Sequence, residues 1–139
     1  MATTRRASTV WNGPLLTGSG EVHLDSSDIG TFPVTWAARS EESNGKTSPE
    51  ELLAAAHATC FAMAFSNALA KAGTPPTQLR TAAEADFQPG VGITEIRLFV
   101  SGDVPGLDAG GFAAAAELAK QNCPVSKALS AVPITLLVG

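Results

Sequence analysis

Hydrophobic and polar positions change period several times along the chain, and each change marks an element. Ser8 to Trp11 reads as a short strand stopped by Asn12-Gly13-Pro14. From Gly20 to Asp25, Val22 and Leu24 fall on one face and Glu21, His23 and Asp25 on the other, the two-residue period of a half-buried strand. A turn over Ser26 to Gly30 leads into Thr31 to Ser40, where Val34, Trp36 and Ala38 alternate with Thr35, Ala37 and Arg39. The pair predicts a β-hairpin, with Arg39 at the end of its second strand on the face opposite Trp36. Glu41 to Lys46 is a polar loop containing Asn44-Gly45.

The pattern then becomes helical. Thr47 to Gly73 holds Leu52, Leu53, a run of alanines, Met63, Phe65 and Leu69, with charges only near its ends. Ser48 suits the N-cap, Pro49 the first helical position, and Glu51 completes a capping box. Gly73 is the expected residue just past the C-terminus, and Pro75 and Pro76 prevent continuation. A helix this apolar on most sides is expected to be buried. Thr81 to Phe87 and Ile93 to Ser101 form a second hairpin around Gln88-Pro89-Gly90, with Ile96, Leu98 and Val100 inward. Asp108 caps a helix ending near Asn122. Cys123 is then the N-cap of a short helix from Pro124 to Leu129, because the following proline disfavours a helical Cys123. Ile134 to Val138 is a last strand. Hairpins separated by helices give an α+β fold, antiparallel sheets around a long central helix, as a single domain over residues 1–139.

Length and charge narrow the function classes. At 139 residues the chain can bury a core without disulfide scaffolding, and a net charge of −4 offers no basic surface for nucleic acid. No apolar run is read as reaching the roughly 20 residues of a membrane span, and the first residues lack the hydrophobic segment of a secretory signal. The expectation is a cytoplasmic protein without nucleic-acid or membrane partners. Gly18-Ser19-Gly20 opens a strand and not a helix, so it is no phosphate-binding loop, and no cofactor is expected.

Two cysteines are too few for a disulfide framework. In mid-helix, Cys60 is either a small core hydrophobe or a reactive thiol. Cys123, at a helix N-terminus, either serves only as a junction or is stabilised as a thiolate by the helix amides. The two can meet only if the last helices pack on the central one. A buried thiol resists ionisation, so a reactive one needs a cation, for which Arg39 and His57 are candidates. Glu50 reads as a first-turn acid complementing the helix dipole, or as a partner for such a cation, since Glu51 already serves the cap. His57 beside Cys60 also raises an acyl-transfer dyad, without an orienting Asn or Asp, and a zinc site with His23, without ligand spacing; neither is favoured. His23 is expected at the surface, and no metal is assigned.

Pro49-Glu50-Glu51-Leu52 followed by His57-Ala58-Thr59-Cys60-Phe61-Ala62-Met63 resembles the first cysteine block of the OsmC/Ohr family, the osmotically induced and organic hydroperoxide resistance proteins. Asn122-Cys123-Pro124-Val125-Ser126 is similar to its second block, and Trp11-Asn12-Gly13 and the strand order fit as well. The resemblance implies a thiol-dependent peroxidase: Cys60 attacks a hydroperoxide and becomes a sulfenic acid, Cys123 resolves it to a disulfide, and an external thiol resets the pair. It implies an arginine beside the peroxidatic sulfur, clamped by a glutamate, roles that fall to Arg39 and Glu50. Arginine on the segment before the central helix is the OsmC-like arrangement; where the Ohr branch carries it, this chain has Leu16-Thr17-Gly18. The family also implies an intertwined homodimer with a composite site. That agrees with helix geometry, because ten residues put Glu50 about 15 Å along the axis from its own Cys60. The competing class is a dimeric stress-related module that binds a small ligand or acts as a chaperone, with inert cysteines.

Overall fold

The computed structural model describes all residues, Met1–Gly139, in two units: Met1–Pro49 and Glu50–Gly139. The first holds strands β1 (Ser8–Asn12), β2 (Ser19–His23) and β3 (Thr31–Val34), and a short helix, α1 (Trp36–Ser40). Its sheet is an antiparallel meander in the order β1-β2-β3. Trp11 pairs with Gly20, and the indole lies so close over that position that an added Cβ would sit 2.8 Å from the ring. Glycine there is a requirement of close approach. His23 sits in a polar cluster at the sheet's end: its Nδ1 is 2.6 Å from Thr31 Oγ1 and its Nε2 is 2.9 Å from an Asp28 carboxylate oxygen.

The expected strand from Thr31 to Ser40 stops at Val34, and Arg39 is not on a strand but in the last turn of α1. Local chemistry accounts for the difference. Thr35 adopts extended backbone and its Oγ1 accepts from the Ala38 N–H at 3.2 Å, an N-cap, while Ser40 Oγ donates to the Trp36 carbonyl at 2.9 Å. The alternation over Thr35 to Arg39 also fits one helical turn, and the side-chain cap decides for it.

The second unit carries helix α2 (Pro49–Lys71), strands β4 (Gln78–Gln88) and β5 (Gly92–Asp103), helices α3 (Ala109–Asn122) and α4 (Pro124–Ala128), and strand β6 (Ile134–Val138). The α2 terminus is a Schellman motif: Gly73 has φ 89°, its N–H reaches the Ala70 carbonyl at 3.1 Å, and the Thr74 N–H reaches that of Leu69 at 2.9 Å. β4 and β5 form the expected hairpin, with a bulge at Asp86/Phe87. β6, however, joins β5 in parallel, so the second sheet is mixed and not purely antiparallel. The path from β5 through α3 and α4 is a crossover, long enough to bring the chain back in the same direction.

The core of this unit joins three elements: Phe61, Phe65 and Leu69 of α2, Phe112, Ala116 and Ala119 of α3, and Leu98 and Val100 of β5. Phe65 is its centre, 6.0 Å from the Phe61 ring in a stacked pair and 5.1 Å from Phe112 edge to face. The α2 helix is not buried on most sides, as its composition suggests. Glu50, His57, Phe61, Phe65 and Leu69 form its buried stripe, whereas Met63 is 68% exposed. Sheet and α3 cover one face, and Ala55, Ala56, Met63 and Ala70 lie on the exposed one. By length and composition α2 is also apolar enough to cross a bilayer, contrary to the expectation that no segment is. Core helices meet the same measure, and here the phenylalanine stripe is packed into protein.

Phe65 is fully buried, so Phe65→Ala removes an aromatic hub and should lower the free energy of unfolding by about 3–5 kcal/mol. Denaturant titration of both proteins checks this, with an unchanged slope showing that the cavity and not the unfolded state is responsible.

Candidate active site

Two helices of the second unit deliver the two thiols. Cys60 stands midway along α2, half-buried and packed against the core cluster that holds Phe61 and Phe65. Cys123 is fully buried at the junction where α3 ends and α4 begins. Its backbone is extended, φ −61° and ψ 125°, as a residue before proline must be. Its N–H still closes the α3 ladder on the Ala119 carbonyl at 2.9 Å, and its carbonyl starts α4 by accepting from Lys127 at 3.0 Å. One residue therefore turns the chain between two helices, and its side chain points into the core cluster against which Cys60 packs. The Cys123 thiol lies close enough to Cys60 to bear on its ionisation, and both are free thiols.

The surroundings of Cys60 do not favour a thiolate. Burial pushes its pKa up, and the neighbouring Cys123 thiol adds to the rise by hydrogen bond and by charge. The one opposing group is the Val125 N–H, a first-turn amide of α4 with no intrahelical acceptor. Cys60 also lines an open groove of about 520 Å³ with Met63, Ala64, Asn67, Ala68, Lys71, Asn122 and Pro124. Its walls are mostly apolar, so a ligand there meets sulfur across hydrocarbon.

His57, one turn before Cys60, is a buried residue that packs inside the unit. Its Nε2 is 2.7 Å from Ser126 Oγ on α4, and its Nδ1 is buried without a hydrogen-bond partner. Burial lowers its pKa. Ser126 was not among the expected site residues. The sequence does hold a signal for it: Ser126 follows Cys123 by three positions, the same step by which Cys60 follows His57. No three His, Cys, Asp or Glu side chains converge as a metal site.

Glu50 is buried in the first turn of α2, and that helix runs without interruption to Cys60 and beyond. The ten-residue separation therefore remains about 15 Å along the axis, and Glu50 and Cys60 are not brought together. Arg39 belongs to the first unit, on α1. Elsewhere, Arg97 gathers three carboxylates on the hairpin, Asp86 at 2.6 Å, Glu84 at 2.8 Å and Glu95 at 3.3 Å, a partly exposed network that the sequence reading did not single out.

Comparison with known proteins identifies the family and the fold. The OsmC-like protein family matches residues 42–137. Peroxiredoxin OsmC of Escherichia coli (strain K12) is 40% identical over 124 residues, spanning 87% of this chain and 86% of its own. Among solved structures, an organic hydroperoxide resistance protein OsmC from Legionella pneumophila has a TM-score of 0.76 at 22% identity, covering 100% of this chain and 98% of that one. The organic hydroperoxide resistance protein OhrB of Bacillus subtilis has a TM-score of 0.71 at 20% identity, with coverage of 96% and 98%.

A pH dependence follows from His57. Its pKa in the folded chain lies below the ordinary 6.5, so below about pH 6.5 the unfolded chain binds the proton first. Stability is complete above that pH and declines as the pH drops toward the lowered value. Thermal midpoints measured from pH 7.5 to 5 should fall, and the fall should be shallower in His57→Gln.

Proposed function

This chain belongs to the OsmC family, and we propose that it reduces organic hydroperoxides, and inorganic ones where they reach the site, through a two-cysteine cycle. The observation that carries the reading is the nearness of Cys60 and Cys123, remote in sequence, with Cys60 lining a mostly apolar groove. In the first step the Cys60 thiolate attacks the outer oxygen of ROOH. The O–O bond breaks, the alkoxide takes a proton and leaves as ROH, and Cys60 becomes a sulfenic acid. In the second, the Cys123 sulfur displaces the hydroxyl of that sulfenic acid, which leaves with the thiol proton as water, and the disulfide closes. Two equivalents of an external thiol return the pair to the reduced state.

The cycle needs a positive charge beside Cys60, because burial and Cys123 both raise its pKa; Lys71 lines the same groove but stands eleven residues along α2, about 16 Å on the axis. Arg39 is the residue assigned to supply it, stabilising the thiolate and then the charge that develops on the departing oxygen. Glu50, a buried carboxylate, is assigned to hold that guanidinium. Since Glu50 is a long way along α2 from its own Cys60, the assembly that satisfies both is a homodimer in which one protomer lends Arg39 to the other. The exposed Met63 and alanine face of α2 supports such an interface. The setting is cytoplasmic, where thiol reductants are abundant. The competing reading, a ligand-binding or chaperone-like module with inert cysteines, leaves the paired sulfurs without a purpose.

Cys60→Ser should abolish hydroperoxide consumption. Cys123→Ser should still consume one equivalent and then stall, with intact mass rising by one oxygen; unchanged multiple turnover would remove Cys123 from the cycle. The shared site has its own test, in which inactive Arg39→Ala and Cys60→Ser chains are mixed and allowed to exchange subunits. A symmetric dimer with exchanged arginines regains one working site per mixed dimer, about a quarter of wild-type activity in an equal mixture. If Arg39 serves its own Cys60, the mixture stays inactive.

A further inference from the structure

Juxtaposed sulfurs raise the question of what keeps Cys123 in place. Its side chain makes no cap hydrogen bond, and its position is set by a hinge: the extended residue between α3 and α4. The helix beyond the hinge spans only Pro124–Ala128, far too short to be stable by its own hydrogen bonds. Something outside α4 has to hold it.

A side-chain hydrogen bond joins α2 to α4 between His57 Nε2 and Ser126 Oγ, 2.7 Å, with both residues buried. Its placement is specific. His57 precedes Cys60 by three residues on α2, and Ser126 follows Cys123 by three across the start of α4. Residues three apart on a helix are neighbours. The His57–Ser126 bond and the Cys60–Cys123 contact are therefore two adjacent links between the same pair of elements. One of them is permanent and the other is the bond that forms in turnover.

The imidazole is also an expensive way to fill this space. Its Nδ1 is buried with no partner, a cost that an apolar side chain of similar size would avoid. What the imidazole supplies and an apolar residue would not is the bond to Ser126. Its lone unsatisfied nitrogen further disfavours the imidazolium, since a second N–H would have no acceptor. Through the neutral range the ring stays uncharged and the link intact.

We propose that the His57–Ser126 hydrogen bond is a positioning element that pins α4 to α2, holding Cys123 over Cys60 so that it governs disulfide closure and not peroxide attack. This rests on the peroxidase reading for its biological setting, though not for its geometry. The governed step is balanced within the protein: Cys60–SOH and Cys123–SH become Cys60–S–S–Cys123 and water, with no further oxidant. The neighbouring sulfurs must close to a bond of about 2 Å, a confined movement while α4 is pinned and a search by a frayed segment once it is not. His57 and Ser126 touch neither peroxide nor sulfur in this scheme. They act through the placement of Cys123.

The test uses the purified full chain with one equivalent of tert-butyl hydroperoxide, with dimedone added at timed intervals to trap sulfenic acid and intact mass to count products. Ser126→Ala and His57→Leu should slow the disappearance of sulfenic acid about ten-fold, an effect expected of lost preorganisation, and raise the trapped fraction accordingly. Ser126→Thr and His57→Gln, which keep a hydroxyl or an N–H in place, should restore closure, which general loosening of the fold would not allow. Equilibration with glutathione reads the same juxtaposition without peroxide: the effective molarity of the thiol pair should fall about ten-fold in Ser126→Ala. Closure at the wild-type rate, or an unchanged effective molarity, in Ser126→Ala overturns the proposal. A wild-type chain that closes its disulfide against glutathione in the expected order of variants, yet ignores the hydroperoxide, supports the pin and overturns the peroxidase reading.

Discussion

Ionising a sulfur costs free energy wherever water is partly excluded, and Cys60 is half-buried against the core of its unit. Burial raises its pKa, and the thiol beside it raises it further. The rest of the arrangement can be understood as a response to that penalty. A single backbone amide, that of Val125, opposes it from within the same unit. That amide does not offset desolvation together with a second thiol, and the proposed scheme therefore brings in a full positive charge. This is why Arg39 and Glu50 matter to the proposed chemistry although neither is adjacent to Cys60 along the chain. It is also why an apolar groove is compatible with catalysis: the same dry walls that hinder ionisation strengthen the pull of any guanidinium that arrives.

Hydrocarbon packing supplies the precision. The stripe of Phe61, Phe65 and Leu69 fixes α2 against α3 and β5, so Cys60 is carried on a rigid element. Cys123 is carried on a junction, whose direction is dictated by the backbone preference of a residue before proline and by the last turn of α3. On the proposed cycle, a thiol on a rigid helix facing one at a helix junction suits a pair that first meets a substrate and then bonds to each other. The His57–Ser126 link limits how far the hinge can stray without freezing it.

The uncovered face of α2 belongs to the same economy of parts. Within one chain the helix buries a single stripe and leaves Met63 and its alanines exposed. Small residues let another backbone approach closely, and exposed apolar surface next to a reactive thiol invites cover. A second protomer would supply both the cover and, on the proposed scheme, the missing charge. Stability of the assembly and reactivity of the thiol would then depend on one interface.

Much of this was written in local sequence. The ends of α2 follow from Pro49 and Gly73, the Asp108 cap appears where a short polar side chain precedes small residues, and Cys123 takes its conformation from Pro124. Those features depend on neighbours within a turn, which sequence alone displays. Periodicity also identified both hairpins, but it misread Thr35 to Ser40, where one side-chain cap outweighed a two-residue alternation that a helical turn tolerates equally well. The parallel partnership of β6 with β5, the one-sided burial of α2 and the pairing of His57 with Ser126 were decided only by tertiary structure. Each depends on which distant surfaces come to face each other, and that is settled by the competition of all apolar faces for a shared interior, a quantity no single segment carries.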